Sequence, residues 1–185
     1  MSSTRIAVVI GSIRNDSINR KLAIALAALA PEEFSFEHVR IDDLPPYSQD
    51  LEQAPSEQVR RLKTHIASSQ AVLFVTPEYN RSIPGVLKNA IDHASRPYGQ
   101  SAWAGKPAGV IGASVGAIGS AIAQQHLRTI LAYLDMPTLG QPEAFIQYKE
   151  GLFDERGHIG VEETRKFLQN WMDKYLAFVK LHTAR

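Results

Sequence analysis

The sequence predicts an α/β protein in which helices cover both faces of a parallel β-sheet. Short runs rich in β-branched residues alternate with longer segments of helical periodicity, and this alternation is typical of repeated β–α units. Three of the short runs are continuously apolar, as strands buried on both faces of a sheet must be. Of the 185 residues, 44% are hydrophobic and 21% are charged, which is ordinary globular composition. We therefore expect one domain over residues 1–185.

Five strands and five helices are expected. The strands are predicted over residues 5–10, 34–40, 71–76, 107–113 and 138–146, with the second and fifth nearer the edges. The helices are predicted over residues 17–30, 56–69, 84–95, 120–135 and 161–181, several of which begin at serine or proline. This pattern predicts a flavodoxin-like three-layer fold, a five-stranded parallel sheet of order 2-1-3-4-5 with helices on both faces. Ligands bind such a sheet beyond the carboxyl ends of its strands, so three loops are candidates for function.

The first loop, residues 11–19, leads directly from a strand into a helix. A helix start presents unpaired N–H groups and the positive end of the dipole, and hydroxyls and a guanidinium add donors for a phosphate monoester. We expect the phosphate of a ligand to lie against Ser12, Arg14, Ser17, Ile18 and Asn19. The alternative is a capped turn with Ser17 as N-cap and Arg14 solvated. Asp16 is expected to face solvent or to contribute to capping. The loop lacks the G-x-G-x-x-G and Gly-Lys-Ser/Thr patterns, which disfavours a pyrophosphate or triphosphate.

The second loop follows the third strand, in the run TPEYNRSIPGVLKNAID at residues 76–92. This run resembles the signature of the NADPH-dependent FMN reductase family, which includes quinone and chromate reductases. The first loop is similar to the Gly-Ser-x-Arg-x-x-Ser pattern of that family, and the resemblance extends over nearly the whole chain. It implies that Pro77, Glu78, Tyr79 and Asn80 wrap the flavin ring and ribityl chain. The alternative for Tyr79 is a boundary aromatic with its hydroxyl in water.

Two further segments are interpreted in this light. Lys88, Asn89 and Asp92 are expected to fix the loop and helix rather than to touch a ligand. The third loop, GASVGAIGS at residues 112–120, is by itself a tight turn with Ser120 capping the next helix. The resemblance implies that Ser114 and Gly116 lie near the pyrimidine end of the flavin and that Gly119 gives the bend.

Composition excludes several other classes of protein. Cysteine is absent, which removes thiolate metal sites and fits a reducing compartment. The formal charge is +1 without long single-sign runs, so we expect neither nucleic acid nor an anionic membrane as a partner. The apolar run at residues 22–30 is too short to span a bilayer, and we expect a cytoplasmic protein. The six histidines have no metal-binding spacing, and no Gly-x-Ser-x-Gly elbow is present.

The resemblance implies an FMN-dependent oxidoreductase. It would take hydride from NADPH or NADH onto the flavin and pass electrons to a quinone, chromate, azo compound or similar small-molecule acceptor in a ping-pong cycle, without a catalytic side chain. The choice between NADPH and NADH stays open, with Arg81 and Arg96 as candidates for a ribose phosphate. The alternatives are a flavodoxin-type electron carrier, which is often acidic, and a flavin-free domain of the same fold.

The resemblance also implies a homodimer or homotetramer. The predicted fourth helix and nearby segments carry more apolar surface than one helix needs to cover a sheet: Ile122, Leu127, Ile130, Leu131, Leu134, Trp103, Tyr133 and Phe145. The alternative is that these residues complete the core of the monomer. Related tetramers pair aromatic and arginine side chains where this chain has Arg81, Ile122 and Gln125, and an Arg81–Glu143 pair across an interface is a further expectation.

Overall fold

Five parallel strands form one sheet in the computed structural model, which describes residues 3–184. Their order is β2-β1-β3-β4-β5, as the sequence predicts. The strands are β1 (Thr4–Ile10), β2 (Phe34–His38), β3 (Ala71–Val75), β4 (Ala108–Ser114) and β5 (Phe145–Gln147). The helices are α1 (Ile18–Ala28), α2 (Glu57–Ser68), α3 (Gly85–Ala94), α4 (Ala121–Tyr133) and α5 (Glu162–Thr183), with a short 3₁₀ helix at Gln49–Leu51.

The sheet separates two hydrophobic cores. In β1, Ile6 and Val8 point into the core beneath α1 and α5, whereas Ala7 and Val9 point into the core beneath α2, α3 and α4. This alternation follows from the two-residue period of a strand. Every residue of β3 is buried, which explains why its sequence is apolar without interruption. The expectation that the first, third and fourth strands are central is confirmed.

The helix bounds agree with the sequence to within a residue or two, because most predicted start residues are the caps that precede the first helical turn. The fifth strand is the main difference. A strand over residues 138–146 is wrong: Thr138 makes an isolated bridge to Ala108, and regular pairing resumes only at Phe145–Gln147. Pro142 lies between these two pairings, and proline has no N–H with which to continue a strand ladder. Over residues 3–184, no helix combines the length and apolar character needed to cross a membrane.

Candidate functional site

The three candidate loops lie side by side at the carboxyl edge of the sheet. The N–H of Gly11 donates to the carbonyl of Val75 (2.9 Å), and the N–H of Thr76 donates to the carbonyl of Ile111 (3.0 Å). Glycine is required at position 112, where a Cβ would lie 2.0 Å from the carbonyl oxygen of Thr76. These contacts bring the ends of β1, β3 and β4 together in the arrangement that the strand order predicts.

The first loop presents an open helix start. Ser17 caps α1, since its Oγ accepts from the N–H of Arg20 (3.2 Å). The N–H groups of Ile18 and Asn19 find no acceptor within residues 3–184, so they are free for a ligand. Arg14 is exposed and forms no ion pair in that part of the chain, whereas Ser12 is buried beside it.

Asp16 forms an ion pair beside this site. Its side chain is exposed, as expected, and pairs with Lys21, whose ammonium lowers the pKa of the Asp16 carboxyl by hydrogen bonding and charge. Lys21 also pairs with Glu155 (3.2 Å). Lys21 is shared between two carboxylates, so it offsets the charge of Asp16 only in part. Arg14 and the half-buried Arg20 are the cations near this loop that form no ion pair within residues 3–184.

Asn19 joins the first loop to the third. Its Nδ2 donates to the carbonyl of Ala113 (2.9 Å), and its Oδ1 accepts from the N–H of Ala113 (2.9 Å). β3 has ended at Val75, so the side-chain amide takes the position that a neighbouring strand would occupy beside β4. Through these two bonds the side-chain amide of Asn19 holds the first loop against the third, a role that the sequence did not predict. Contact of Asn19 with the cofactor stays a prediction.

The second loop contains a tight two-residue turn. Tyr79 and Ser82 exchange both backbone hydrogen bonds at 2.9 Å, and Asn80 and Arg81 have φ angles of 49° and 63°. Two successive positive φ values define a type I′ turn, in which asparagine is favoured but arginine is strained at a position that usually holds glycine. The turn is anchored to α4 through Ser82, whose Oγ lies 3.0 Å from Nδ1 of His126. It leaves Tyr79 half-exposed at its base.

Glu78 caps α4 from the second loop. Its Oε2 accepts from the N–H groups of Ile122 (3.0 Å) and Ala123 (3.2 Å), and its Oε1 lies 3.3 Å from a guanidinium nitrogen of Arg81. The expectation that Ser120 provides this cap is wrong: Ser120 is left-handed (φ 70°) and makes no side-chain cap bond. A carboxylate at a helix start also interacts favourably with the helix dipole. The Glu78 carboxylate is thus engaged with α4 and Arg81, and contact of Glu78 with a flavin stays a prediction.

The third loop is closely packed at its end and open in its middle. Ser114 Oγ donates to the carbonyl of Gly116 (3.1 Å), and both residues lie within reach of solvent. Gly119 gives the bend that the resemblance implies, with a φ of 59° at which a Cβ would lie 2.5 Å from the carbonyl carbon of Phe145. Contact of Ser114 and Gly116 with a flavin stays a prediction.

The three loops carry exposed apolar side chains, here called the apolar rim, and the sequence prediction omitted most of them. The rim consists of Ile13 (50% exposed), Tyr79 (47%), Val115 (72%) and Ile118 (39%), with at least one side chain from each loop. Apolar residues inside otherwise polar or glycine-rich loops are the sequence signal that could have identified Ile13, Val115 and Ile118. A group of exposed apolar side chains on loops that include an open helix start suits a flat, apolar ring that carries a phosphate.

Lys88, Asn89 and Asp92 make contacts within the chain, and the expectation that they touch no ligand stays a prediction. Lys88 Nζ contacts both carboxylate oxygens of Asp92 at 2.8 Å on the surface of α3. Asn89 binds the segment after β2, accepting from the N–H of Tyr47 (2.8 Å) and donating to the carbonyl of Pro45 (2.9 Å). No group of three or more potential metal ligands occurs in residues 3–184.

Comparison with known proteins decides the family. Residues 4–151 match the NADPH-dependent FMN reductase family. The chain is 57% identical over 176 residues to a 2-hydroxy-1,4-benzoquinone reductase of a Burkholderia species, which covers 95% of this chain and 96% of that protein. It is 52% identical over 180 residues to a quinone reductase of Pseudomonas putida, covering 97% and 96% of the two chains. The chain belongs to the NADPH-dependent FMN reductase family.

Solved structures agree with this membership. The flavoenzyme NAD(P)H:(acceptor) oxidoreductase FerB from Paracoccus denitrificans superposes with a TM-score of 0.93 at 46% identity, covering 97% of this chain and 98% of that one. A flavodoxin from Pseudomonas aeruginosa is only 19% identical with a TM-score of 0.59, and this likeness shows the fold alone. As a member of this family, the chain is an oxidoreductase that uses FMN and NAD(P)H.

The loops fit an FMN group by their chemistry. The free N–H groups of Ile18 and Asn19 and the unpaired Arg14 match a phosphate monoester, which prefers charge-assisted donors. The apolar rim matches the ring system. The site thus combines the two kinds of surface that the two ends of this cofactor require.

Proposed function

We propose that the protein reduces quinones with NADPH or NADH, holding FMN across the three loops. The observation that carries this proposal is the apolar rim beside the open start of α1, because it offers one surface to a flavin ring and leaves part of that surface exposed to a second flat molecule. The quinone class is supported by relatives with 52% and 57% identity that are quinone reductases by name.

The roles of the individual residues follow from their contacts. When bound, FMN supplies the hydride and electron transfer chemistry. Arg14, Ser12 and the first N–H groups of α1 would bind its phosphate, and Tyr79 and the rest of the rim would line the ring and the adjoining space for nicotinamide and quinone in turn. Asn19 and Glu78 would act through the loops, by holding them at fixed positions on β4 and α4.

A flavodoxin-type carrier is the alternative with less support. Its strongest argument is the shared fold, whereas the formal charge of +1 differs from the acidic surface with which carriers often approach basic partners. Neither arginine considered for a nicotinamide ribose phosphate is unpaired. Arg81 lies 3.3 Å from Glu78, and Arg96 lies 3.7 Å from Glu52. The preference between NADPH and NADH is therefore left to measurement.

Steady-state kinetics of the FMN-loaded protein test this function. We expect oxidation of NADPH or NADH to accelerate when 1,4-benzoquinone or 2-hydroxy-1,4-benzoquinone is added, with parallel double-reciprocal lines. Protein that gains no flavin absorbance on titration with FMN would contradict the cofactor site. Flavin-loaded protein that is reduced by neither nicotinamide would instead favour the carrier.

We also infer that two copies pair through α3 and α4. A groove of about 590 Å³ lies between these helices, and Tyr98 (85% exposed) and Tyr133 (83%) stand at its border. Of the apolar residues that predicted an interface, Leu127, Leu131 and Trp103 are buried in the core of the monomer itself. The remaining surface consists of Ile122, Ile130, Tyr133, Leu134 and Phe145. The groove has a mixed lining of apolar and charged residues, and exposed aromatics at the border of such a surface are typical of interfaces.

Light scattering tests the pairing. We expect a mass of two or four times 20.5 kDa and expect Tyr133→Lys to lower it, whereas Leu181→Lys on the surface of α5 leaves it unchanged. A wild-type mass near 20.5 kDa would rule out the dimer. Within one chain Glu143 accepts from Gln125 (2.6 Å), so the Arg81–Glu143 pair across an interface stays a prediction. We further propose a cytoplasmic location, which cell fractionation tests.

A further inference from the structure

A cavity of about 620 Å³ lies away from the three loops. It is enclosed by the segment between β2 and α2, the first turns of α2, and the segment that follows α3. None of its lining residues belongs to residues 11–19, 77–84 or 112–120. Its volume falls in the range of roughly 300 to 1,000 Å³ that is common for small-molecule sites.

The walls of this cavity are held by specific bonds. The segment after β2 is fastened to α3 at two points: the side-chain amide of Asn89 makes both bonds described above, and Nε2 of His93 lies 2.8 Å from the carbonyl of Pro45. The ring of Tyr47 packs edge-on against His93, with 5.4 Å between the ring centroids. On the opposite side, Lys63 of α2 donates to the carbonyl of Arg96. These contacts fix the cavity as a built feature of the fold.

The lining combines an apolar surface with an excess of positive charge. Leu51, Ala54 and Val59 supply aliphatic surface, and Tyr47 supplies an aromatic ring. The lining also contains two cations, Lys63 and Arg96, and one carboxylate, Glu52, besides His93.

The single carboxylate is already engaged. Glu52 accepts from the hydroxyl of Tyr47 and lies 3.7 Å from Arg96. Lys63 uses one of its three N–H donors on the Arg96 carbonyl, which leaves two for a ligand. The two cations and the one carboxylate leave the cavity lining with a net charge of +1 beside its apolar wall.

We propose that this cavity binds an aromatic monocarboxylate. The ring would lie against the aliphatic wall, and the carboxylate would accept charge-assisted hydrogen bonds from Lys63 and Arg96. The proposal does not depend on the proposed quinone reduction, because the cavity shares no residue with the flavin-binding loops.

Calorimetric titration of the FMN-loaded full chain with 2-naphthoate tests the site. We expect one naphthoate per chain and weaker binding of the neutral 2-naphthamide by about tenfold or more, the effect of losing one charge-assisted hydrogen bond. No heat with naphthoate, or equal affinity for the two compounds, would overturn the proposal.

Matched variants locate the binding. Lys63→Gln keeps a donor for the Arg96 carbonyl but removes the charge, and it should weaken naphthoate by about tenfold while leaving naphthamide unchanged. Ala54→Trp, in an exposed part of the wall, should occupy part of the cavity and weaken binding of both compounds. Lys174→Gln on the exposed surface of α5 is the charge control and should bind as the wild type does.

Competition separates this cavity from the flavin site. We expect the naphthoate affinity to be the same in FMN-free and FMN-loaded protein and in the presence of NADPH. Displacement of naphthoate by FMN or NADPH would place it in the flavin site or in a nicotinamide site, and would overturn the proposal. Unchanged naphthoate binding in Ala54→Trp would do the same, provided that thermal melting shows this variant to be folded.

Discussion

Replacing Asn19 with alanine should loosen the connection between the first and third loops. The side chain is 3% exposed and makes two hydrogen bonds of 2.9 Å to the backbone of Ala113, which is itself buried. Alanine removes both bonds and supplies no replacement. The N–H and the carbonyl of Ala113 are then left without their partner at the end of β4.

The size of the effect follows from these two groups. Each buried backbone group without a partner costs about 1 to 3 kcal/mol, so two cost about 2 to 6 kcal/mol. Alanine recovers roughly 0.5 kcal/mol through its higher helix propensity in the first turn of α1. We therefore expect the free energy of unfolding to fall by about 2 to 5 kcal/mol. For a chain of this size the midpoint temperature should fall by at least about 4 °C.

Urea unfolding of the FMN-free protein, followed by circular dichroism, measures this difference. The cofactor is absent in that experiment, so a contact between Asn19 and FMN cannot contribute to the result. Asn15→Ala, an exposed position in the same loop, is the matched control and should change stability by less than about 0.5 kcal/mol. If Asn19→Ala is as stable as Asn15→Ala, the two hydrogen bonds do not hold the loops together and the reasoning is refuted.

Four further substitutions test the site and the fold. Arg14→Ala should weaken FMN binding by about 1.5 to 3 kcal/mol in a fluorescence titration; an unchanged affinity would return Arg14 to solvent. Tyr79→Ala should alter turnover with the melting temperature of the FMN-free protein intact, and wild-type kinetics with every acceptor would remove Tyr79 from the site. Glu78→Ala should lower the free energy of unfolding by about 1 to 3 kcal/mol through loss of the α4 cap, whereas Glu150→Ala at an exposed position should change little in the same urea experiment. Partial desolvation and then the charge of Arg20 lower the pKa of His38 below its ordinary value, so the unfolded chain takes up this proton first. The residue keeps an exposed surface, so the effect on stability should be small. Stability from this group is present above about pH 6.5 and is lost as the pH falls, and the loss between about pH 7 and 5 should be smaller in His38→Gln; equal losses in both proteins would contradict this assignment.

Local patterns predicted most of the architecture. The continuous apolar runs of β1, β3 and β4 predict central strands, because such sequences are stable only where both faces are covered. Ser17 and Ser56 mark the starts of α1 and α2, since a side-chain cap bond spans only three residues. The order of the strands, and with it the position of the three loops, follows from the rules of β–α–β connection.

Local reasoning failed where the chain departs from regular structure over a short distance. The predicted fifth strand extends through Gly140 and Pro142, and its pairing reduces to one bridge and a three-residue strand. Ser120 stands where a cap is expected, but its left-handed backbone leaves the helix start to another residue. In both cases the local sequence is compatible with more than one backbone conformation, and contacts with neighbouring segments decided which one forms.

The sequence by itself determined the layers, the sheet and the position of the three candidate loops, because these depend on periodicity, caps and turns within about twenty residues. Only the tertiary structure decided how the loops are held. Glu78 caps a helix 44 residues further along the chain, and Asn19 binds a strand 94 residues away. Whether a polar side chain meets a ligand or a distant backbone group depends on which segments the fold brings within hydrogen-bonding distance, and no local pattern records that distance.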